Sequence, residues 1–189
     1  MLGMSPSTRR IVITGGPYSG KTTVIDALCA RGHTVVREAA IQVIDDLTRQ
    51  LGVAEQVAWR KENPEDFQVK ILGKQEELED AAARDAGTGL VFLDRGRLDG
   101  IAYCRVYERA VPEQVEVGCQ DLPYDCVFLL DTLRDFDGRA ASGRTSDRAR
   151  SLFIRDHLAE VYRERGFDVV FVAEMPVAER VEFILVALR

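Results

Sequence analysis

Short apolar runs alternate with longer amphipathic stretches along this sequence, and the alternation defines its predicted elements. The apolar runs predict five strands, at residues 11–14, 34–36, 90–93, 126–130 and 168–172. Because these runs are apolar and are separated by helical patterns, they indicate a parallel sheet covered by helices on both faces. The fold class that we predict is therefore α/β.

The stretches between the strands carry apolar side chains at helical spacing. They predict helices at residues 22–31, 39–51, 64–84, 99–108, 112–119, 147–165 and 176–188. Residues 52–66 are predicted to form a loop with one short helical piece. Residues 1–8 show no structural pattern and are expected to be a flexible N terminus. No internal repeat or low-complexity linker divides the sequence, so we expect one domain over residues 1–189.

A glycine-rich segment follows the first predicted strand and leads directly into the first predicted helix. Gly15, four further residues and then Gly20-Lys21-Thr22 match the phosphate-binding loop G-x-x-x-x-G-K-[ST]. Such a loop turns backbone N–H groups toward polyphosphate oxygens at the positive end of a helix. A chance glycine turn is the alternative, but strand, loop and helix are all in register. We predict that a nucleoside triphosphate is bound by Gly15, Gly16, Pro17, Tyr18, Ser19, Gly20, Lys21, Thr22 and Thr23.

Individual side chains of this region have separate predicted roles. Lys21 is expected at an exposed loop-to-helix junction, where its ammonium group reaches the β- and γ-phosphates. The Thr22 hydroxyl is expected to ligate Mg²⁺. The apolar run of residues 90–93 leads into Asp94, a pattern in which the carboxylate holds the same ion, directly or through water. Many strands end in an acidic residue, so the run that ends in Asp94 indicates a metal site only in combination with the phosphate loop.

Further charged and aromatic residues lie near the predicted strand ends. Glu38 follows the second strand, where ligands of open α/β sheets gather, and is a candidate general base. A helix-start acid favoured by the macrodipole is its alternative role. Arg95 either orients an anionic or hydroxyl group of the substrate or pairs with a carboxylate at the sheet edge. Asp99 is interpreted first as a helix N-cap, and Trp59 and Tyr103 as packing residues in preference to base-stacking ones.

An arginine-rich segment lies between the fourth predicted strand and the next helix. Residues 132–150 interleave arginines with glycines. We predict that they form a lid in which Arg144 and Arg148 close over phosphates and stabilise charge during phosphoryl transfer. A solvated loop is the alternative, but the phosphate site supplies the anion that such arginines need.

Composition narrows the function classes. The net charge of −6 argues against broad nucleic-acid binding, which usually needs a basic face. The four cysteines have no C-x-x-C spacing and only two histidines accompany them, which argues against a zinc site and for reduced thiols. The sequence has no signal-peptide pattern and no apolar run of membrane-spanning length. We therefore predict a cytoplasmic protein without a nucleic-acid or membrane partner.

Four segments together resemble the small "AAA domain" ATP-binding family. They are the phosphate loop, the run Arg37-Glu38-Ala39-Ala40, residues 92–96 and residues 99–104. That family is similar to the ribosylnicotinamide kinase domain of NadR and, more distantly, to deoxynucleoside and thymidylate kinases. The resemblance spans nearly the whole chain. It implies a kinase-like P-loop NTPase fold with five parallel strands in the order 2-3-1-4-5.

The resemblance also implies an activity and roles for several residues. Glu38 matches the acid that serves as base in similar nucleoside kinases, and Asp94-Arg95 is similar to the Asp-Arg pair of thymidylate kinases. We predict an ATP-binding, Mg²⁺-dependent phosphotransferase that moves the γ-phosphate to a small metabolite such as a nucleoside or nucleotide. The alternative is a nucleotide-dependent regulatory ATPase or GTPase switch. The resemblance to an ATP-binding family implies ATP as the cofactor. No Asn-Lys-x-Asp guanine-reading motif supports GTP, but the sequence carries no adenine-specific pattern either, so GTP stays an alternative, and a homodimer is left open.

Overall fold

A single parallel sheet forms the centre of the molecule. The computed structural model describes residues 8–87, 89–134 and 148–189. All strand pairs are parallel, and the strands are hydrogen-bonded in the order β2-β3-β1-β4-β5, which confirms the predicted α/β architecture. The strands are β1 (Arg9–Gly15), β2 (Thr34–Val36), β3 (Leu90–Asp94), β4 (Cys126–Leu130) and β5 (Val169–Val172).

The helices agree with the predicted ones in all but one region. The described residues form α1 (Lys21–Ala30), α2 (Ala39–Leu51), α3 (Val53–Glu62), α4 (Pro64–Ala86), α5 (Leu98–Val106), α6 (Glu113–Gly118), α7 (Arg148–Glu164) and α8 (Val177–Ala187). Residues 52–66 were predicted as a loop with one short helical piece, and the loop part of this prediction is wrong, because the ten-residue helix α3 occupies most of the segment. Glu55 in its first turn and Lys61 in its last turn complement the helix dipole.

Successive side chains of each strand point to opposite faces of the sheet, and both faces are buried. On β1, Val12 packs in the cluster that includes Ile101 of α5 and Leu158 of α7. Its neighbour Ile13 belongs to the second cluster, which includes Leu28 of α1. This alternation explains why the central strands read as continuous apolar runs, since their side chains are buried whichever way they point. On the edge strand β5, by contrast, Phe171 is exposed.

The strand register brings the carboxyl ends of the three central strands to one edge. Ile13 of β1 pairs with Asp94, the last residue of β3. Gly15 pairs with Leu130, the last residue of β4. Val36 of β2 pairs with Leu93, so the segments after β2 and β3 leave the sheet side by side. This edge is where open α/β sheets bind their ligands.

Some sequence predictions fall outside the described residues. These are residues 1–7 of the predicted N terminus and residues 135–147 of the predicted lid, with Arg144 among them. Thr8 is described, and its hydroxyl donates to Ala83 O at 3.1 Å. Among the described helices, none combines the length and the apolar character that a membrane span needs.

Candidate functional site

The loop between β1 and α1 opens onto the first turn of a helix. Gly20, the residue before α1, adopts a left-handed φ of 79°, a conformation that favours glycine. Ser19 is buried beside it, and Lys21 is the first residue of α1. The N–H groups of a first helical turn have no intrahelical partners. The loop therefore presents backbone donors and a positive helix end, which suit polyphosphate oxygens.

Lys21 lies deeper than the sequence predicts. The expectation of an exposed junction was wrong, because the residue is only 7% exposed. Its Nζ donates to Gly15 O at 2.9 Å and to Gly16 O at 3.1 Å, so the loop itself satisfies the ammonium group. Burial, and after it the nearby Arg95 guanidinium, lowers the pKa of Lys21 to about 7. A bound polyphosphate would supply the negative charge that this buried group lacks.

Asp94 ends β3 as a buried carboxyl group with an unsatisfied oxygen. Its Oδ1 has no hydrogen-bond partner among the described residues, although buried acceptors are normally satisfied. Burial raises the pKa of Asp94 to about 6, against the opposing effect of the Lys21 and Arg95 charges. A cation would satisfy this oxygen and restore the ionised form.

The donor set near Asp94 fits Mg²⁺ held jointly with a nucleotide. Thr22 lies in the first turn of α1 and is itself exposed, so its hydroxyl is available as a ligand. Within the described ranges no group of three His, Cys, Asp or Glu side chains could hold a metal. Mg²⁺ commonly takes only one or two protein ligands and completes its shell with substrate phosphates and water. The residues present therefore fit a nucleotide-bound Mg²⁺ better than an ion held by protein alone.

Arg95 joins the carboxyl groups that follow β2 and β3. Its Nε lies 3.1 Å from Glu38 Oε1, and its Nη1 donates to Asp99 Oδ2 at 3.0 Å. The backbone of Arg95 has a φ of 74°, which is uncommon for a non-glycine residue, and its N–H donates to Ile13 O. Pairing with carboxylates at the sheet edge, one of the two predicted roles of Arg95, is thus present.

Asp99 is a buried acceptor inside a helix. The N-cap interpretation was wrong, because α5 already begins at Leu98. Asp99 Oδ2 accepts from the Thr14 hydroxyl at 2.7 Å, and Oδ1 accepts from the Tyr162 hydroxyl at 2.8 Å. Both oxygens are therefore occupied, and Asp99 serves to hold Arg95 at the strand ends.

A cavity of about 410 Å³ adjoins this charged cluster. Glu38, Arg95 and Asp99 line it, and so do apolar side chains of four helices. The apolar lining consists of Ala39, Ala40, Ile44, Val57, Phe67, Ile71, Leu72 and Val115. A concave, largely apolar cavity with a few converging polar groups is the usual form of a small-molecule site.

The two aromatic residues that the sequence singles out differ in position. Tyr103 lines the cavity, and the Arg95 guanidinium lies 5.2 Å from its ring centroid. Trp59 is not among the lining residues, and its ring is approached by Lys70 at 5.8 Å. Of the two, only Tyr103 is placed to touch a molecule in the cavity.

The start of α7 contacts the phosphate loop. Ser151 is fully buried, and its hydroxyl donates to Pro17 O at 2.5 Å and lies 3.1 Å from the Thr132 hydroxyl. Arg148, one turn earlier, is the exposed first residue of α7. The other predicted lid residue, Arg144, lies outside the described residues. Sequence reasoning missed Ser151, because a serine in a helix carries no signal of such a contact.

Arg180 of α8 supports the same loop from the opposite end of the chain. It is 1% exposed, and its guanidinium donates to the carbonyl oxygens of Ser19 and of Ala173, the latter at 3.1 Å. Sequence reasoning missed Arg180 as well. Arg180 lies in a helical stretch that also carries Glu179 and Glu182, so the sequence around it does not identify a partner.

Comparison with known proteins gives one family match. A family model described as "AAA domain" matches residues 10–180, which is most of the chain. No curated protein matches this sequence significantly.

Solved structures that share this fold include two kinases and the NadR protein. The NadR protein in complex with NR has a TM-score of 0.69 at 16% identity, over 96% of this chain and 48% of that chain. Thymidylate kinase from Candida albicans has a TM-score of 0.61 at 14% identity, over 98% of this chain and 92% of that chain. Deoxyadenosine kinase from M. mycoides with bound dCTP has a TM-score of 0.59 at 14% identity, over 95% of this chain and 98% of that chain. The chain thus spans about half the length of NadR, and at these identities the likeness concerns the fold.

Proposed function

We infer that this chain, which belongs to the AAA domain family, is a small-molecule kinase that moves the ATP γ-phosphoryl group to a metabolite such as a nucleoside or nucleotide. The observation that carries this proposal is the position of Glu38 and Arg95. They line a cavity large enough for a small metabolite and belong to the same charged cluster as Lys21. A site for hydrolysis alone has no need of such a cavity. ATP is the proposed donor, with GTP as its alternative.

The phosphate end of the site is proposed to bind the nucleotide. The loop N–H groups and Lys21 would hold the β- and γ-phosphates. Thr22 and Asp94 would hold Mg²⁺, which when bound neutralises charge on the phosphate oxygens. Arg148 begins α7 one turn before the Ser151 contact with the loop, so we propose that it reaches the triphosphate. We propose the same role for Arg144.

The acceptor end is proposed to use Glu38 as general base. Three carboxyl groups lie near the strand ends, and their surroundings distinguish them. Asp99 has donors on both oxygens, and Asp94 is not among the residues that line the cavity. Glu38 lines the cavity and uses only Oε1 on Arg95, so in the described chain Oε2 is left for an acceptor hydroxyl. Arg95 would orient that carboxylate and the acceptor.

The proposal is tested by measuring ADP release from Mg-ATP with a panel of nucleosides, nucleotides and sugars. We expect one acceptor class to raise turnover at least tenfold over the basal rate, because a kinase site excludes water until the acceptor is seated. Lys21→Ala protein is the control for contaminating kinases. Slow hydrolysis that no acceptor raises, with a protein partner bound in one nucleotide state only, would favour the regulatory switch instead.

A further inference from the structure

The cavity beside Glu38 carries more positive than negative charge. Five cationic side chains and two carboxylates line it. Two of the cations are neutralised. Arg95 pairs with Glu38 and Asp99, and Arg97 pairs with Glu79 at 3.1 Å and with a second glutamate. The other three are Arg60, Lys61 and Arg109.

These three cations have no carboxylate partner among the described residues. Arg60 donates its Nε to Gln56 Oε1 at 2.8 Å, and its guanidinium lies 5.4 Å from the Phe67 ring centroid. Arg109 lies 5.5 Å from the Tyr107 ring centroid. Neutral amide and aromatic partners hold Arg60 and Arg109 in place and leave their charge uncompensated, and Lys61 is exposed. In a chain of net charge −6, three such groups around one cavity form a local site for an anion.

The three cations lie at the ends of helices that line the cavity. Arg60 and Lys61 occupy the last turn of α3, which packs mainly on α2 and α4. Arg109 follows α5, whose nine residues start just after β3. The Arg109 N–H donates back to Cys104 O at 2.9 Å, so Arg109 lies beside the last turn of α5, at the end of that helix remote from β3. The cavity therefore has an inner end at Glu38 and an outer end at these cations, with Val57 and Phe67 among the apolar residues that line it.

We propose that the acceptor carries an anionic group, a phosphate or a carboxylate, at the end remote from the hydroxyl that receives the phosphoryl group. Arg60, Lys61 and Arg109 bind this group, while the hydroxyl lies at Glu38. Guanidinium and ammonium groups favour such oxyanions through charge-assisted hydrogen bonds. This inference rests on the proposed kinase function, since the hydroxyl end is defined by Glu38.

The test compares binding of matched compounds that differ by one anionic group. The probes are nucleosides against their 3′-monophosphates, and aliphatic hydroxy amides against hydroxy acids of the same length. Their affinities are measured by calorimetry on protein loaded with Mg²⁺ and a non-hydrolysable ATP analogue. We expect the anionic member of at least one pair to bind at least tenfold more tightly. The pair that shows this difference in affinity indicates whether the anionic group is a phosphate or a carboxylate.

Charge-removing variants connect the preference to the three cations. The test variant carries Arg60→Gln, Lys61→Gln and Arg109→Gln together. In this triple variant we expect the anionic and neutral members of the pair to bind with affinities that differ by less than about twofold. Its affinity for the ATP analogue should be unchanged. Arg105→Gln is the matched control, because Arg105 lies on α5 outside the cavity and pairs with Glu164. Anionic members that bind no more tightly than neutral ones, or a preference that survives the triple variant, would overturn the inference. Neutral acceptors that still accelerate ADP release would leave the kinase proposal standing.

Discussion

Lys21 is the residue whose burial has the most direct consequence for binding. With a pKa lowered to about 7, it is mostly neutral at pH 8 in the nucleotide-free protein. Phosphate oxygens favour the charged form and raise the pKa back toward 10.5. We therefore expect Mg-ATP binding at pH 8 to take up close to one proton. Calorimetry in buffers of different ionisation enthalpy measures this uptake.

Two substitutions of Lys21 distinguish the effect of its positive charge on ATP affinity from its uptake of a proton on binding. Lys21→Arg keeps a permanent positive charge, so it should bind without proton uptake. Lys21→Ala removes the charge and should weaken ATP binding by about 100-fold, the loss of roughly two strong charge-assisted contacts. Wild-type binding without proton uptake would contradict a buried, neutral Lys21.

Asp94 should affect stability and metal binding in opposite directions. Its pKa is raised from 3.8 to about 6, so above that range the native state holds an ionised carboxylate in an unfavourable, buried position. Asp94→Asn removes this penalty, and we expect the free energy of unfolding at pH 7.5 to rise by ~1–3 kcal/mol without nucleotide. Near pH 3 the difference should vanish, since both states are then protonated. Denaturant titration at both pH values measures it.

The same variant should lose metal-dependent affinity. Asn supplies no negative charge to Mg²⁺, so ATP binding should become almost insensitive to added Mg²⁺. A destabilised Asp94→Asn protein that still responds to Mg²⁺ would contradict both parts of this assignment.

Substitution of Glu38 should lower turnover, whereas substitution of Asp94 should lower metal-dependent affinity. Glu38→Gln keeps the shape and a hydrogen-bond acceptor for Arg95, but it cannot take a proton. We expect ATP affinity to stay within about twofold and kcat to fall by roughly 10²-fold, the lower end of general-base effects. Steady-state kinetics with the identified acceptor measure both quantities. Near-normal turnover would return Glu38 to the role of an acid at a helix start.

At the scale of elements, most boundaries could be predicted because the strands are buried on both faces. Helix α2 begins at Ala39 and ends at Leu51, as its apolar spacing predicts. The segment that forms α3 is predicted as a loop with one short helical piece, because Gly52 and Asn63-Pro64 punctuate it. Its helix is bounded by these same residues. Local signals located the ends of α3 but not the helix between them.

The packing of α7 on the phosphate loop gives a prediction for a glycine pair. A Cβ on Gly16 would lie 2.4 Å from Ser151 O, so Gly16→Ala must displace either the loop or α7. We expect Gly16→Ala to destabilise the protein by ~1–3 kcal/mol and to weaken ATP binding. Gly73→Ala is the control, because Gly73 lies within α4 with nothing near its Cβ. That change should stabilise by ~0.5–1 kcal/mol. Thermal unfolding of both variants gives the comparison.

At the scale of the whole molecule, the candidate site could be predicted in its parts but not in its contacts. The phosphate loop and Asp94 are identifiable because each depends on a local pattern at a strand end. The pairing of Glu38 with Arg95 joins segments 57 residues apart, and it depends on the register of β2 against β3. The burial of Lys21 and the cavity depend on how helices pack over that edge. No short sequence pattern encodes such relations.

Arg180 connects the last helix, α8, to the phosphate loop. Its guanidinium donates to carbonyl oxygens of Ser19, Ala173 and Asp131, so one side chain of α8 joins the phosphate loop to the segments after β4 and β5. Arg180→Met keeps the apolar volume but leaves these carbonyls without their donor at a buried site. We expect a loss of ~2–4 kcal/mol in unfolding free energy and weaker ATP binding, because the loop loses its support. Arg105→Gln, which breaks an exposed ion pair, should cost under ~1 kcal/mol. Chemical denaturation with and without Mg-ATP measures both effects, and an Arg180→Met protein as stable as Arg105→Gln would show that α8 does not hold the loop.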